Sequence, residues 1–197
     1  MTTSRMGAIA LAWLIVAALA GATGWPTLLR PPGPQIAILI LSVLTWLALT
    51  RPAGVRAWTM GVDPRVLVLP HLGRVAAGVA FLAYAQRGML PSAFAVRAGV
   101  GDIVVGVAAA GLMVLGRPDT DPKRRAFLTW NVLGLADIVM VVVAAARAGL
   151  RAPESMASLL QLPMVLAPLF LVPIIFATHA LLFQRLRSSF RYGDARS

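Results

Sequence analysis

The chain of 197 residues contains no cysteine. That excludes a disulfide, a thiolate metal site and a thiol nucleophile. Charge is also scarce. Asp, Glu, Lys and Arg together make up 13% of the chain, about half of what a soluble globular protein carries. Aromatic residues are few at 7%, the acids number 7, and Lys123 is the one lysine among 18 cationic residues. Histidine occurs twice, as His71 and His179. Neither a soluble enzyme domain nor a disordered tail fits so little charge. There is no Walker loop, no G-x-S-x-G and no H-E-x-x-H, and Gly99-Val100-Gly101 lacks the βαβ setting of a dinucleotide fingerprint. No catalytic residue can be assigned on these grounds.

What remains is apolar. Hydrophobic residues make up 59% of the chain. They gather in six runs, at about residues 6–28, 34–50, 66–86, 94–115, 126–146 and 158–184. All but the short second run have the length needed to cross ~30 Å of hydrocarbon. The pattern predicts an all-α polytopic membrane protein, a single six-helix transmembrane bundle over residues 1–197. Proline and glycine mark the spacers. Arg30-Pro31-Pro32-Gly33-Pro34 cannot continue a helix, and Pro153-Glu154 reads as a helix start, either of a short interfacial helix or of an over-long sixth span. Arg5, an apolar run and Ala18-Leu19-Ala20 also match a cleavable secretory signal. Apolar character continues past Ala20 to Leu29, which favours an uncleaved first span.

Orientation follows from the short basic loops. With the N-terminus inside, the inner segments hold Arg5, Arg51, Arg56, Arg65, Arg117, Lys123, Arg124, Arg125, Arg185, Arg187, Arg191 and Arg196. The outer segments hold Arg30, Arg87, Arg97, Arg147 and Arg151, and Arg74 lies within a span. The expectation is N-in and C-in, in a bacterial inner (cytoplasmic) membrane. The net charge of +11 then has anionic lipid headgroups on the cytoplasmic side as its partner, not nucleic acid.

An ionisable group within a span is costly unless paired, hydrated or neutral, so each such group is a candidate site. The candidates are His71 and Arg74 in the third run, Arg97 and Asp102 in the fourth, Asn131 and Asp137 in the fifth, and His179 in the sixth. At ~1.5 Å per residue, Asp102, Asp137 and Arg74 fall near the midplane and the two histidines lie nearer the inner side. Ala95, Gly99, Asp102, Gly106 and Ala109 form one small-residue helix face, and such faces let backbones approach closely. A similar stripe runs through Trp130, Gly134 and Asp137. Arg74 is expected to be the counter-ion of Asp102, Asp137 or both.

Three functions are compatible with these residues. The first is a transporter or channel-like protein for a small solute or ion, with Asp102, Asp137, Arg74, Asn131 and Arg97 as binding groups. The second is a membrane redox protein in which His71 and His179 ligate haem b axially. A zinc site lacks a third ligand. The third is a structural or accessory subunit held together by its buried ion pairs. Pro163, Pro168 and Pro173 in the last run invite kinks that can line a cavity.

The stretches Arg74 to Phe81, Leu90 to Ala95, Gly99 to Gly106 and Trp130 to Asp137 resemble small, uncharacterised bacterial multi-pass membrane proteins. The resemblance implies a membrane location over most of the chain and carries no activity with it.

Overall fold

The computed structural model describes residues 2–193, with side chains through Arg187. The side chain of Arg191 and all of Arg196, both in the basic tail, lie outside the described residues. The fold is all-α, and the described residues contain no strand. Helix α1 spans Thr3–Ala22, with the Thr2 hydroxyl accepting from the Arg5 N–H at its start. Helix α2 spans Gly33–Thr50, with Pro34 in its first turn, where no N–H is needed. The short helices α3, Ala53–Gly61, and α4, Pro64–Val68, follow, and α4 is capped by the Asp63 carboxylate. Helix α5 spans Gly73–Gln86, α6 Ser92–Leu115, α7 Asp121–Arg151 and α8 Val172–Gly193.

Six helical stretches are long and apolar enough to cross a membrane: Thr3–Ala22, Gly33–Thr50, Pro64–Gln86, Ser92–Leu115, Asp121–Arg151 and Ala167–Arg187. Their outward faces stay apolar. Leu19, Leu39, Val104, Val114 and Leu133 are all more than half exposed. In water each would forfeit about 1.5–3 kcal/mol of burial, a loss that hydrocarbon does not impose.

The helices depart from the sequence reading in three places. The third stretch is not one helix. Pro70 has no N–H to give, and Leu69–Leu72 tightens into a 3-10 turn between α4 and α5. The first helix stops at Ala22, because Gly24 adopts a left-handed φ of 73°, and Trp25–Leu28 forms a separate 3-10 turn. The last stretch starts later than expected. Pro153–Leu160 is a 3-10 helix of its own, and Pro163 precedes the spanning helix instead of kinking it. Pro168 sits in a single wide π turn, Ala167–Leu171, that leads into α8 and absorbs its missing N–H.

The core is built around α6. Phe94, Ala95, Ala98, Gly99, Asp102, Val105, Gly106, Ala109 and Leu112 are all buried and repeat at helical spacing. Its tightest neighbour is α5. A Cβ added at Gly78 would lie 2.5 Å from the Gly99 carbonyl oxygen, and one at Gly99 would lie 2.8 Å from that of Gly78. The two backbones therefore touch where neither has a side chain. Helix α7 and helix α8 complete the inner group. Helix α2 buries no residue fully, and α1 buries only Ala17 and Gly21. The polar residues of the interior are thus concentrated on α5, α6, α7 and α8 and the turn before α5.

Candidate functional site

Arg74 stands in the first turn of α5 and is wholly buried. No water can satisfy its guanidinium there, so protein acceptors must. Its Nε donates to Asp102 Oδ1 on α6 at 2.7 Å. One Nη donates to the Gly134 carbonyl on α7 at 3.1 Å, and the other donates to Asp137 Oδ2, also on α7. A single cation thus binds three helices. The Asp102 side chain is 5% exposed, whereas the Asp137 side chain retains 12% of its surface. Glycine makes the convergence possible. A Cβ at Gly101 would overlap Asp137 Oδ1, so α6 can accept that carboxylate only with a bare Cα at this position.

Formal charge at this centre does not close. One guanidinium faces two carboxylates, and both ionised would leave an excess negative charge in a low-dielectric interior. Two acids sharing a site disfavour double ionisation. One proton, or one further cation, is what the count lacks.

The two histidines lie beside it. His71, in the Leu69–Leu72 turn, and His179, on α8, are both fully buried. Their rings meet edge to face with centroids 4.4 Å apart. The Trp130 indole packs on both, 4.8 Å from His71 and 5.4 Å from His179, and donates its own N–H to the Val105 carbonyl at 3.0 Å. Asn131 grips His179 twice. Its Nδ2 donates to the His179 carbonyl at 3.1 Å, and its Oδ1 lies 2.8 Å from His179 Nδ1. His71 Nε2 lies 3.0 Å from the Thr178 hydroxyl. Gly134 is the spacer between the two groups. Its carbonyl binds Arg74, and a Cβ on it would lie 3.2 Å from His179 Nε2.

The sequence-derived residues are redistributed by this geometry. Arg74, Asp102 and Asp137 meet directly. Asn131 belongs with the histidines, not with the carboxylates. Arg97 does not belong to the site. It is exposed, because a helical rotation of ~100° per residue turns position 97 well away from position 102. Thr178 and Gly101 escaped the sequence reading. A threonine beside a histidine and a glycine among many carry no signal until their helices are docked.

Axial ligation of haem b by His71 and His179 does not fit. An axially ligated macrocycle must lie between the two imidazoles. Carbon atoms in contact already need about 3.5–4 Å, and the 4.4 Å approach of the two rings is taken up by their own contact. Among the described residues no cluster of three or more His, Asp or Glu side chains could hold a metal ion.

A second polar group closes the end of the bundle where α3 meets α4. Asp63 binds Arg65 at 2.8 Å and Arg117, from the α6–α7 loop, at 2.7 Å. The Arg65 hydrogen bond, aided by Arg117, holds the Asp63 carboxyl well below the usual range. Arg185 on α8 donates to the Val62 carbonyl at 2.5 Å and that of Thr59 at 3.3 Å. A cleft of about 260 Å³ lies elsewhere, between α2, α7 and the 153–160 turn, with Arg30, Gln35 and Glu154 in its lining. None of the Arg74 centre lines it.

Comparison with curated proteins and with solved structures found no match. A family model does match, over residues 31–187, from the turn before α2 into α8. The chain belongs to that family, described as a domain of unknown function, DUF8737.

Proposed function

We propose that the protein is an inner-membrane transporter or channel-like protein whose Arg74–Asp102–Asp137 centre binds and releases a proton. The observation that carries this reading is the unequal count of charges: one buried guanidinium held by two carboxylates on two different helices. A structural ion pair needs one acid. The second acid supplies a site whose charge changes with proton occupancy, and Asp137, the more exposed of the two, is where the proton enters. The reading places both termini in the bacterial cytoplasm, with the basic loops against anionic lipid headgroups. A fluorescent-protein fusion at the C-terminus should glow, since that reporter folds in the cytoplasm; an exported-reporter signal there would reverse the orientation.

A structural or accessory role is favoured by one observation, the three acceptors on α6 and α7 that tie Arg74 down. Flux separates the two readings. In liposomes of neutral and anionic lipid with a pH dye inside, a potassium diffusion potential should drive internal acidification by the wild type. Asp137→Asn should remove that flux while retaining the fold by circular dichroism. Wild-type flux equal to that of protein-free liposomes refutes the proton reading and leaves the structural one.

A further inference from the structure

The hydrogen bonds around the histidines fix both tautomers. The Asn131 Nδ2 donates to a carbonyl, so its Oδ1 is an acceptor and His179 Nδ1 must carry the proton. His179 Nε2 is then a bare lone pair. With the single Thr178 hydroxyl proton assigned to the Ile174 carbonyl at 2.8 Å, or to that of Ile175 at 3.1 Å, its oxygen is left as an acceptor. Its oxygen therefore accepts from His71 Nε2–H, and His71 Nδ1 is bare. Both bare nitrogens are buried without a hydrogen-bond partner among the described residues. Two unpaired acceptors on touching rings call for a donor, and a buried polar atom left unpaired is costly.

We propose that His71 and His179 form a second proton-binding station, which takes one proton onto either bare nitrogen. The proposal deepens the proton reading of the Arg74 centre and rests on it for the source of that proton. One proton is the limit, because two imidazolium rings 4.4 Å apart in a dry interior would repel strongly. The charge arithmetic agrees. With both carboxylates ionised, the Arg74 centre is one charge negative, and a proton on the histidine pair balances it. The bridge is Gly134: a Cβ built on it would lie 3.2 Å from His179 Nε2, and its carbonyl holds Arg74. Among the described residues, three charged groups on the surrounding elements are turned to the interior beside the pair. Helix α5 brings Arg74, α6 brings Asp102 and α7 brings Asp137. Arg65 on α4 is bound to Asp63, Arg185 on α8 turns to the Thr59 and Val62 carbonyls, and α2 has no ionisable side chain. Protonation adds an N–H at one ring and removes nothing but a proton from the Arg74 centre, so no oxidant or reductant is involved.

The test is nitrogen-15 NMR of histidine-labelled full-length protein in nanodiscs, carrying a purification tag free of histidine. The chain has two histidines, so His71→Asn and His179→Asn assign the signals. At neutral pH the bare nitrogens should be His179 Nε2 and His71 Nδ1. On acidification, the protonated fractions of the two rings should sum to one. Asp137→Asn should move that titration about one pH unit lower, near the small end of the effect of a neighbouring charge. Three results overturn the proposal: both rings neutral until circular dichroism reports loss of the fold, as a bridging water would give; two independent protons; or an Asp137→Asn titration identical to wild type. A one-proton titration in a protein without flux would instead refute transport and leave the station standing.

Discussion

Removing the Arg74 guanidinium is the sharpest perturbation of this structure. Arg74→Ala takes away three hydrogen bonds and leaves two carboxylates without a cation. Asp102 suffers most, since only 3% of it is exposed and Arg74 is its only cationic partner among the described residues. Breaking a buried pair from one side costs about 3–5 kcal/mol. Asp102→Asn alone should cost only about 1 kcal/mol, because Arg74 keeps Asp137 and the site becomes formally neutral. Coupling between contacting residues runs to about 3 kcal/mol, so the double variant Arg74→Ala/Asp102→Asn should be more stable than Arg74→Ala by up to about 2 kcal/mol once the cost of Asp102→Asn is subtracted. Asp137→Asn should rescue Arg74→Ala less, because its carboxylate is less deeply enclosed. Reversible unfolding in mixed micelles across the double-mutant cycle measures each term. Additivity of Arg74→Ala and Asp102→Asn within about 0.5 kcal/mol would refute the reasoning, since uncoupled residues do not form a charge centre.

Gly78→Ala should destabilise the protein by about 1–3 kcal/mol, as overpacking does, because its Cβ would strike the Gly99 carbonyl. Gly111→Ala, which meets open space, should be neutral or slightly stabilising in the same thermal assay. Asp63→Ala should cost about 1 kcal/mol, the usual worth of an N-cap. The Asp63 carboxyl is depressed in the folded state, so its contribution is present above the ordinary aspartate pKa of about 3.9 and is lost as pH falls below it. The stability difference between wild type and Asp63→Ala should therefore be full at neutral pH and shrink towards strong acid. Protein purified from haem-replete cells should show no Soret band; a band abolished by His71→Ala would overturn the reading of the imidazole contact.

The fold was largely legible because hydrocarbon imposes a simple rule: apolar runs of fixed length become helices. The face of α6 was legible too, since Ala95, Gly99, Asp102, Gly106 and Ala109 repeat at helical spacing, and all of them are buried. What the sequence did not disclose were breaks and partners. Pro70 lies within an apolar run whose hydropathy hides the 3-10 turn. Depth alone suggested Arg74 as the partner of Asp102, Asp137 or both, but depth could not separate Asn131 from them, because the azimuth of a helix depends on how it docks. Arg97 shows the same limit from the other direction: it lies on the helix of Asp102 but faces away. The haem reading failed at distance, a quantity two isolated histidines do not encode.

The short α5–α6 connection bears on how the chain enters the bilayer. Arg74 and Asp102 sit on the two arms of one helical hairpin, and their backbones already touch at Gly78 and Gly99. That hairpin can leave the insertion machinery with its two opposite charges neutralised by each other. Helix α7 has no such companion on its own segment for Asp137, and a lone aspartate at the centre of a helix costs about 2.5–3.5 kcal/mol to insert. It can be accepted only once α5–α6 is in place to offer Arg74. Synthesis from N- to C-terminus delivers the segments in that order, so the charge that closes the centre also dates it: the site is completed by the arrival of α7.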